Sequence, residues 1–156
     1  MIQRIQSLFL LLTIIASSLF LTGGYLNLVN SASGYEAVAK FSGIYMVSSG
    51  SGNTIASHLF PVPVISVLVP VIAAVTILLF KNRKLQKQIT LLNIFLELIL
   101  IISAIILLMP VVEHNSAILE PGYRIIMPLL SLAFLVLAYI GIKKDDELVK
   151  SYDRLR

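Results

Sequence analysis

Glu97 is the most unusually placed ionisable residue of this 156-residue sequence, because it lies inside the apolar stretch 89–109. Asn93 precedes it by four residues, so a helix would place both side chains on one face as a polar stripe. A carboxyl group surrounded by hydrocarbon can relay a proton or bind an ion or ligand. It can also be a neutral group that hydrogen-bonds to a neighbouring helix. The sequence leaves both interpretations open.

The depth of Glu97 makes its presence costly. It lies eight residues after Ile89, which is about 12 Å along a helix. A charged side chain at the centre of a span costs about 2.5–3.5 kcal/mol on insertion, whereas each Leu, Ile or Phe returns about 0.3–0.6 kcal/mol. The stretch contains fifteen such residues and can therefore insert. Hydroxyl groups at similar depths on other segments could complete the polar stripe: Thr13, Ser17, Thr76 and Ser131.

The remaining candidates for a metal site are two histidines and two glutamates: His58, Glu113, His114 and Glu120. Their spacing matches no zinc signature, so we predict no metal. The sequence contains no cysteine, which removes disulfides, thiolate metal sites and thiol redox chemistry. It also contains no GxSxG or HExxH motif and no phosphate-binding glycine loop. We therefore predict no catalytic residue, no cofactor and a protein that is not an enzyme.

The composition is typical of a membrane protein. Hydrophobic residues make up 58% of the chain and charged residues 13%, which is about half the charged fraction of soluble domains. Stretches of spanning length predict four transmembrane helices, at about residues 5–25, 61–80, 88–110 and 122–142. We predict an all-α membrane protein, a four-transmembrane-helix bundle in which residues 1–156 form a single integral membrane domain.

Two of the predicted spans have alternative interpretations. The first has the layout of a secretory signal, with Arg4 before the apolar run and small residues after it, but its length favours a retained helix. Pro70 should bend the second span, because proline removes the hydrogen bond to the carbonyl of Ser66. A fixed bend for packing is the simpler interpretation, and a moving hinge is the alternative. Pro110 is expected to close the third span.

The connections on the far side of these spans are predicted to be short and partly extended. Residues 27–58 are rich in Gly, Ser and Asn, and residues 35–41 and 43–47 are rich in β-branched and aromatic side chains. With a turn cluster following, they predict a small extracytoplasmic β-hairpin, or a hairpin with a third strand. A disordered loop is the alternative. In the other connection, Arg124 is expected to pair with Glu113 or Glu120.

The basic segment, residues 81–87, fixes the predicted orientation. It carries four positive charges in seven residues between two apolar stretches, and short basic loops are retained in the cytoplasm. With four spans, ten of the twelve Lys and Arg residues fall on this side, and only Lys40 and Arg124 fall on the other. We therefore predict a multi-pass protein of the bacterial inner (cytoplasmic) membrane with both termini in the cytoplasm.

The tail, residues 143–156, is predicted to be a cytoplasmic helical extension, because Leu148, Tyr152 and Leu155 recur at helical spacing and Asp146 precedes Lys150 by four residues. Basic side chains on this face can attract anionic lipids, at about 1 kcal/mol each, or dock a protein partner. The interleaved acidic residues argue against nucleic-acid binding. The candidate docking residues are Arg4, Lys81, Arg83, Lys84, Lys87, Lys150, Tyr152, Arg154 and Arg156.

Three motifs lie on this predicted cytoplasmic face: MIQRIQ at residues 1–6, KNRKLQ at residues 81–86 with Leu92 and Asn93 beyond it, and residues 142–156. In these motifs, and over its full length, the chain resembles an uncharacterised family of small four-span inner-membrane proteins from Bacteroidota. The resemblance implies a four-span fold and implies no activity. It favours a partner on the cytoplasmic side, and Glu97 is not part of it.

Two functions follow as expectations. The first is a non-enzymatic accessory or scaffold subunit that docks a larger membrane complex, or a second copy of itself, through the basic cytoplasmic face. The alternative is a small transporter or proton-coupled channel centred on Glu97 and Asn93. Four spans are few for a transport path, so the alternative requires an oligomer. The lipid bilayer, including its anionic lipids, is the expected environment in both cases.

Overall fold

The structure, a computed structural model, describes residues 2–30, 35–46, 54–57, 60–80, 82–115 and 118–154. Within these ranges the chain is mostly helical. The helices are α1 (Ile2–Leu21), α2 (Val62–Leu78), α3 (Arg83–Asn115) and α4 (Met127–Arg154), and a 3-10 turn (Tyr123–Ile126) leads into α4. The strands are β1 (Gly24–Asn30), β2 (Tyr35–Lys40), β3 (Gly43–Met46), β4 (Thr54–Ser57) and β5 (Ile118–Pro121).

Two segments are long and apolar enough to cross a membrane, as judged by length and composition: Arg83–Pro110 and Tyr123–Leu148. Ile5–Leu21 and Val62–Leu78 are shorter apolar helices. The prediction of a mostly helical chain with apolar helices is therefore confirmed, and two of the helices reach spanning length.

Several element ends differ from the predicted ones. Helix α1 ends at Leu21 rather than near residue 25. The basic segment is mainly helical rather than a loop, because the side chain of Asn82 accepts a hydrogen bond from the Leu85 amide and caps the start of α3. Pro110 does not close α3, which continues to Asn115. A proline removes only one helical hydrogen bond, and the apolar side chains on both sides of this one keep the helix going.

The four helices pack side by side in chain order, with α1 against α2 and α4, and α3 against the same two helices. Consecutive helices run in opposite directions, since the starts of α1 and α3 both contact the later part of α4, so the basic segment and the sheet lie at opposite ends. Close approach of α1 and α4 depends on Gly141, where a β-carbon would lie 2.9 Å from the Gln6 side chain. Near this contact, Leu10, Leu135 and Ala138 form a buried cluster.

The five strands form one antiparallel sheet in the order β4-β3-β2-β1-β5. The predicted hairpin corresponds to β2 and β3, where Val38 pairs with Tyr45. The sheet extends beyond this hairpin because β1 pairs with β2 on one side and with β5, from the α3–α4 connection, on the other. A disordered loop is excluded for the strands. The predicted turn cluster, residues 48–53, lies outside the described residues.

The sheet is anchored to the helices by apolar side chains. Leu28 and Ile44 are fully buried and belong to one core cluster with Phe20 of α1, Val62 of α2 and Leu100 of α3. A hairpin alone is marginally stable in water. The helix ends therefore supply the apolar surface on which this small sheet depends.

Candidate functional site

The carboxyl group of Glu97 lies in the interior of the helices, with only 2% of the residue exposed. The Ser131 hydroxyl, one turn into α4, donates to Glu97 Oε1. Ser131 Oγ also lies 3.1 Å from the Pro128 carbonyl oxygen. A hydroxyl has one proton, so Ser131 shares it between these two acceptors. The contact with Glu97 joins α3 to α4.

The second carboxyl oxygen, Glu97 Oε2, has no hydrogen-bond partner within the described residues. A cavity of about 10 Å³ lies beside Glu97 and is also lined by Ser17 and Ser66, which is close to the smallest space that holds one water molecule. Both hydroxyl protons are already used, since Ser17 donates to the Thr13 carbonyl at 2.8 Å and Ser66 to the Pro63 carbonyl at 3.0 Å. Their oxygens remain as acceptors, so the cavity suits a donor such as water or a protonated carboxyl group.

Asn93 lies on the same face of α3 as Glu97 and contacts α2. It is fully buried, and its Nδ2 donates to the Val69 carbonyl oxygen at 3.2 Å. Val69 immediately precedes Pro70, so this hydrogen bond holds α3 to α2 at the proline. Asn93 Oδ1 has no partner within the described part of the chain. The polar stripe therefore faces two different helices, with Asn93 toward α2 and Glu97 toward α4.

Only some of the hydroxyl groups predicted to surround Glu97 do so. Ser131 binds it directly and Ser17 shares its cavity. Thr13 and Thr76 donate instead to carbonyl groups of their own helices, at 3.0 and 2.7 Å. Ser66 joins the site as a hydroxyl group that sequence reasoning missed. Its position one helical turn before Pro70 in α2 is a signal that could have identified it, because proline leaves the carbonyl of that residue free and polar groups are expected nearby.

A second polar cluster, which the sequence did not reveal, lies at the end opposite the sheet. Gln6 Nε2 donates to Asp145 Oδ2 at 2.8 Å, and Arg83 Nη1 donates to the Asp145 carbonyl oxygen at 3.3 Å. Lys87 pairs with Asp146 at 3.1 Å. Gln6 and Asp145 are both more than nine-tenths buried. We call these five residues the basic-end cluster. It fixes the beginning of the tail against α1 and α3.

The candidate docking residues fall into three groups. Lys84 is exposed, whereas Arg83 and Lys87 are half-buried and contact α4. The side chains of Arg4, Lys150, Tyr152 and Arg154 are not described, although their backbones are helical. Lys81, Arg156 and Leu155 lie outside the described residues.

The remaining predicted contacts lie at the sheet end. The expected ion pair of Arg124 with Glu113 or Glu120 is wrong for the described residues, since the guanidinium stacks on the Tyr123 ring at 4.6 Å. Glu120 is held in β5 opposite Asn27. His58 lies outside the described residues, as does the side chain of His114. The described residues contain no group of three or more potential metal ligands.

The contact between Ser131 and Glu97 leads to a stability prediction. Ser131→Ala leaves a buried carboxyl group without its partner, which should lower the free energy of unfolding by about 1–3 kcal/mol. The matched control is Ser18→Ala, because Ser18 is exposed on α1. Thermal unfolding of the purified protein in detergent measures both. Glu97→Gln should be tolerated, since an amide can still hydrogen-bond to Ser131. Equal unfolding temperatures for Ser131→Ala and Ser18→Ala would contradict the assigned role.

Comparison with known proteins identifies the family of this chain. No curated protein shows significant similarity to it. The profile of a family described as "Domain of unknown function (DUF4293)" matches residues 2–155, which is nearly the whole chain and includes Asn93, Glu97 and the basic-end cluster. The chain belongs to the DUF4293 family.

Proposed function

We propose that this chain is a four-span integral membrane protein. The observation that carries the proposal is the exposed apolar surface. Only 17% of an apolar 18-residue stretch within Arg83–Pro110 is buried. Side chains such as Phe95 and Ile106 are more than 60% exposed. Soluble monomers rarely expose apolar patches of more than a few hundred Å². Hydrocarbon would cover this surface.

The two shorter helices fit the same membrane. Val62–Leu78 contains 17 residues, which is about 26 Å at the helical rise and near the lower limit for a span. Both α1 and α2 also expose large apolar side chains, including Leu8 and Val71. Because they pack beside α3 and α4, we place all four helices across one bilayer as a four-helix bundle.

The charge distribution supports an orientation with both termini in the cytoplasm. The starts of α1 and α3 and the ends of α2 and α4 lie at one end, together with the basic segment and the tail. The sheet lies at the other end. Among the Lys and Arg residues of the described ranges, Lys40 and Arg124 are the two on the sheet side. The positive-inside rule places the basic end in the cytoplasm, as in the bacterial inner-membrane family that the sequence resembles.

Labelling of single cysteines tests this orientation, since the chain has no cysteine of its own. Lys84→Cys and Ile118→Cys place a thiol at exposed positions at opposite ends. In intact cells with a permeabilised outer membrane, an impermeant maleimide should label position 118 and leave position 84 unlabelled. Lysed cells, in which both should react, are the control. Labelling of position 84 in intact cells would contradict the orientation.

At the cytoplasmic end, we propose that the protein is a non-enzymatic accessory or scaffold subunit that docks a larger membrane complex. The basic-end cluster supports this role because it holds the start of the tail in a fixed position on α1 and α3. A surface that is ordered before binding loses less entropy on docking. Lys84, Lys143 and Lys144 are exposed around this cluster, although Lys143 pairs with Glu147 at 3.9 Å, so the surface suits an acidic partner.

Charge reversal tests the docking face. Lys84→Glu combined with Lys143→Glu and Lys144→Glu should remove the partner from protein purified in mild detergent, because like charges then meet across the interface. The matched control is Lys40→Glu, which changes a charge at the sheet end. Native mass spectrometry of the wild-type complex and of both variants measures the loss. A wild-type protein that is strictly monomeric, or a complex that is insensitive to the triple reversal, would contradict the proposal.

A second candidate function, a proton-coupled channel or transporter, is favoured by the free Oε2 of Glu97 beside a water-sized cavity. The hydroxyl oxygens of Ser17 and Ser66 could carry a proton from the cavity toward the carboxyl group. A cavity of about 10 Å³ does not by itself form a path, so this function requires an oligomer or a second conformation.

Proton flux into vesicles separates the two functions. If Glu97 relays protons, reconstituted wild-type protein conducts them and Glu97→Gln abolishes the flux, because the amide cannot exchange a proton. If Glu97 is structural, neither protein conducts and both remain folded. We expect the second result, since the carboxyl group is already bound to Ser131. Wild-type flux that disappears in Glu97→Gln would instead establish transport.

A further inference from the structure

A groove of about 240 Å³ runs between α3 and α4 in the half of the molecule nearer the sheet. Helix α3 contributes Ala104 and Ile105 among five side chains, and Leu129 and Ile125 line the opposite wall. Phe20 and Tyr25, at the junction of α1 and β1, form the base, with their rings 5.1 Å apart. Ile105 and Leu129 are each more than half exposed, so the groove opens toward the proposed hydrocarbon.

Two polar side chains in or next to the lining of this groove lack the partners they would ordinarily have: Tyr25 lines the groove, and Arg124 immediately precedes Ile125, which also lines it. Tyr25 is only 2% exposed, and its hydroxyl has no hydrogen-bond partner within the described ranges. The Arg124 guanidinium packs over Gly23, where a β-carbon would lie 2.9 Å from it. Gly23 lies between Phe20 and Tyr25 in the chain. The Arg124 guanidinium stacks on the Tyr123 ring. It forms no ion pair with a carboxylate among the described residues.

This combination defines the chemistry of a ligand. An apolar cavity of about 150 Å³ is large enough to bind benzene, so a groove of about 240 Å³ accommodates a segment of an aliphatic chain. A cation at one end suits a phosphate, to which a guanidinium can donate two parallel hydrogen bonds. The Tyr25 hydroxyl, which has no acceptor within the described residues and belongs to the lining of the groove, suits an acceptor such as an ester carbonyl. An apolar chain, an ester and a phosphate are the parts of a phospholipid.

We propose that this groove binds an acyl chain of an anionic phospholipid from the outer leaflet, with the lipid phosphate at Arg124. The proposal rests on the four-span membrane placement above. One turn of a helix, about 10 Å across and 5.4 Å long, has a larger volume than this groove of about 240 Å³, whereas a segment of an acyl chain fits into it. The positive charge of Arg124 favours an anionic headgroup over a zwitterionic one.

Native mass spectrometry tests the proposal with protein reconstituted in equal amounts of phosphatidylglycerol and phosphatidylcholine and then released into detergent. We expect the wild-type protein to retain phosphatidylglycerol. Ala104→Phe fills the groove, and Arg124→Gln removes the charge at its end. Arg124→Gln should lower phosphatidylglycerol retention by about tenfold or more, which is the scale expected for the loss of one hydrogen bond to a charged group. Ala104→Phe should lower it by a similar factor, because the ring occupies the space of the acyl chain. The controls are Ala74→Phe, on the exposed face of α2, and Lys40→Gln, on the sheet.

Several results would overturn the proposal. Equal retention of both lipids, or of phosphatidylglycerol by all the variants, would identify an adventitious lipid only. A dimer that Ala104→Phe abolishes would identify a second copy as the occupant. Thermal unfolding shows whether the Ala104→Phe variant folds. If it does not fold, the lipid retention of Arg124→Gln, which changes a partly exposed side chain, tests the proposal. If cysteine labelling supports the proposed orientation in the membrane while lipid retention is insensitive to the variants, this inference alone fails. Recovery of the chain from the soluble fraction would overturn both this inference and the proposed membrane placement.

Discussion

The inward placement of polar side chains is the constraint on which the rest of this structure depends. The buried residues include Gln6, Asn93, Glu97, Ser131 and Asp145, while large apolar side chains cover the outside of all four helices. A polar group removed from water must be satisfied by another group of the protein, because an unpaired one costs about 1–3 kcal/mol. The polar residues therefore select which helix faces meet. In a hydrocarbon environment this selection matters more, since apolar helix faces have no preference for one another over lipid.

These polar contacts form two layers that fix the helices at different levels. In the central layer, Asn93 joins α3 to α2 and Glu97 joins α3 to α4. In the basic-end cluster, Asp145 of α4 binds side chains from α1 and α3. The sheet ties the remaining end together, because β1 follows α1 and pairs with β5, which follows α3. The helices are thus attached to one another at three levels along their length.

The two ends of the molecule present different chemistry to their surroundings. At the basic end, the acidic residues of the tail neutralise Lys87 and hold Arg83, and the cations left exposed point to an acidic partner. At the sheet end, Arg124 and the Tyr25 hydroxyl lie beside an apolar groove without protein acceptors among the described residues. The proposed docking role and the proposed lipid site therefore occupy opposite ends of the molecule.

The sequence by itself determined the apolar helices, the helical tail and the β2–β3 hairpin, and it singled out Glu97 and Asn93 as polar residues within an apolar helix, because hydrophobic periodicity, turn residues and a charge within an apolar stretch are local signals. It could not reveal that β1 pairs with β5, whose residues lie about ninety positions away, or that Gln6 meets Asp145, 139 positions along the chain. It named Ser17 and Ser131 as candidate neighbours of Glu97 but did not distinguish them from Thr13 and Thr76, which neither bind Glu97 nor line its cavity. It also paired Arg124 wrongly, because opposite charge and nearness in sequence do not fix side-chain geometry. Only the tertiary structure decided these contacts, since contacts between helices depend on the rotation of one helix relative to another, and strand pairing depends on which connections meet at the same end.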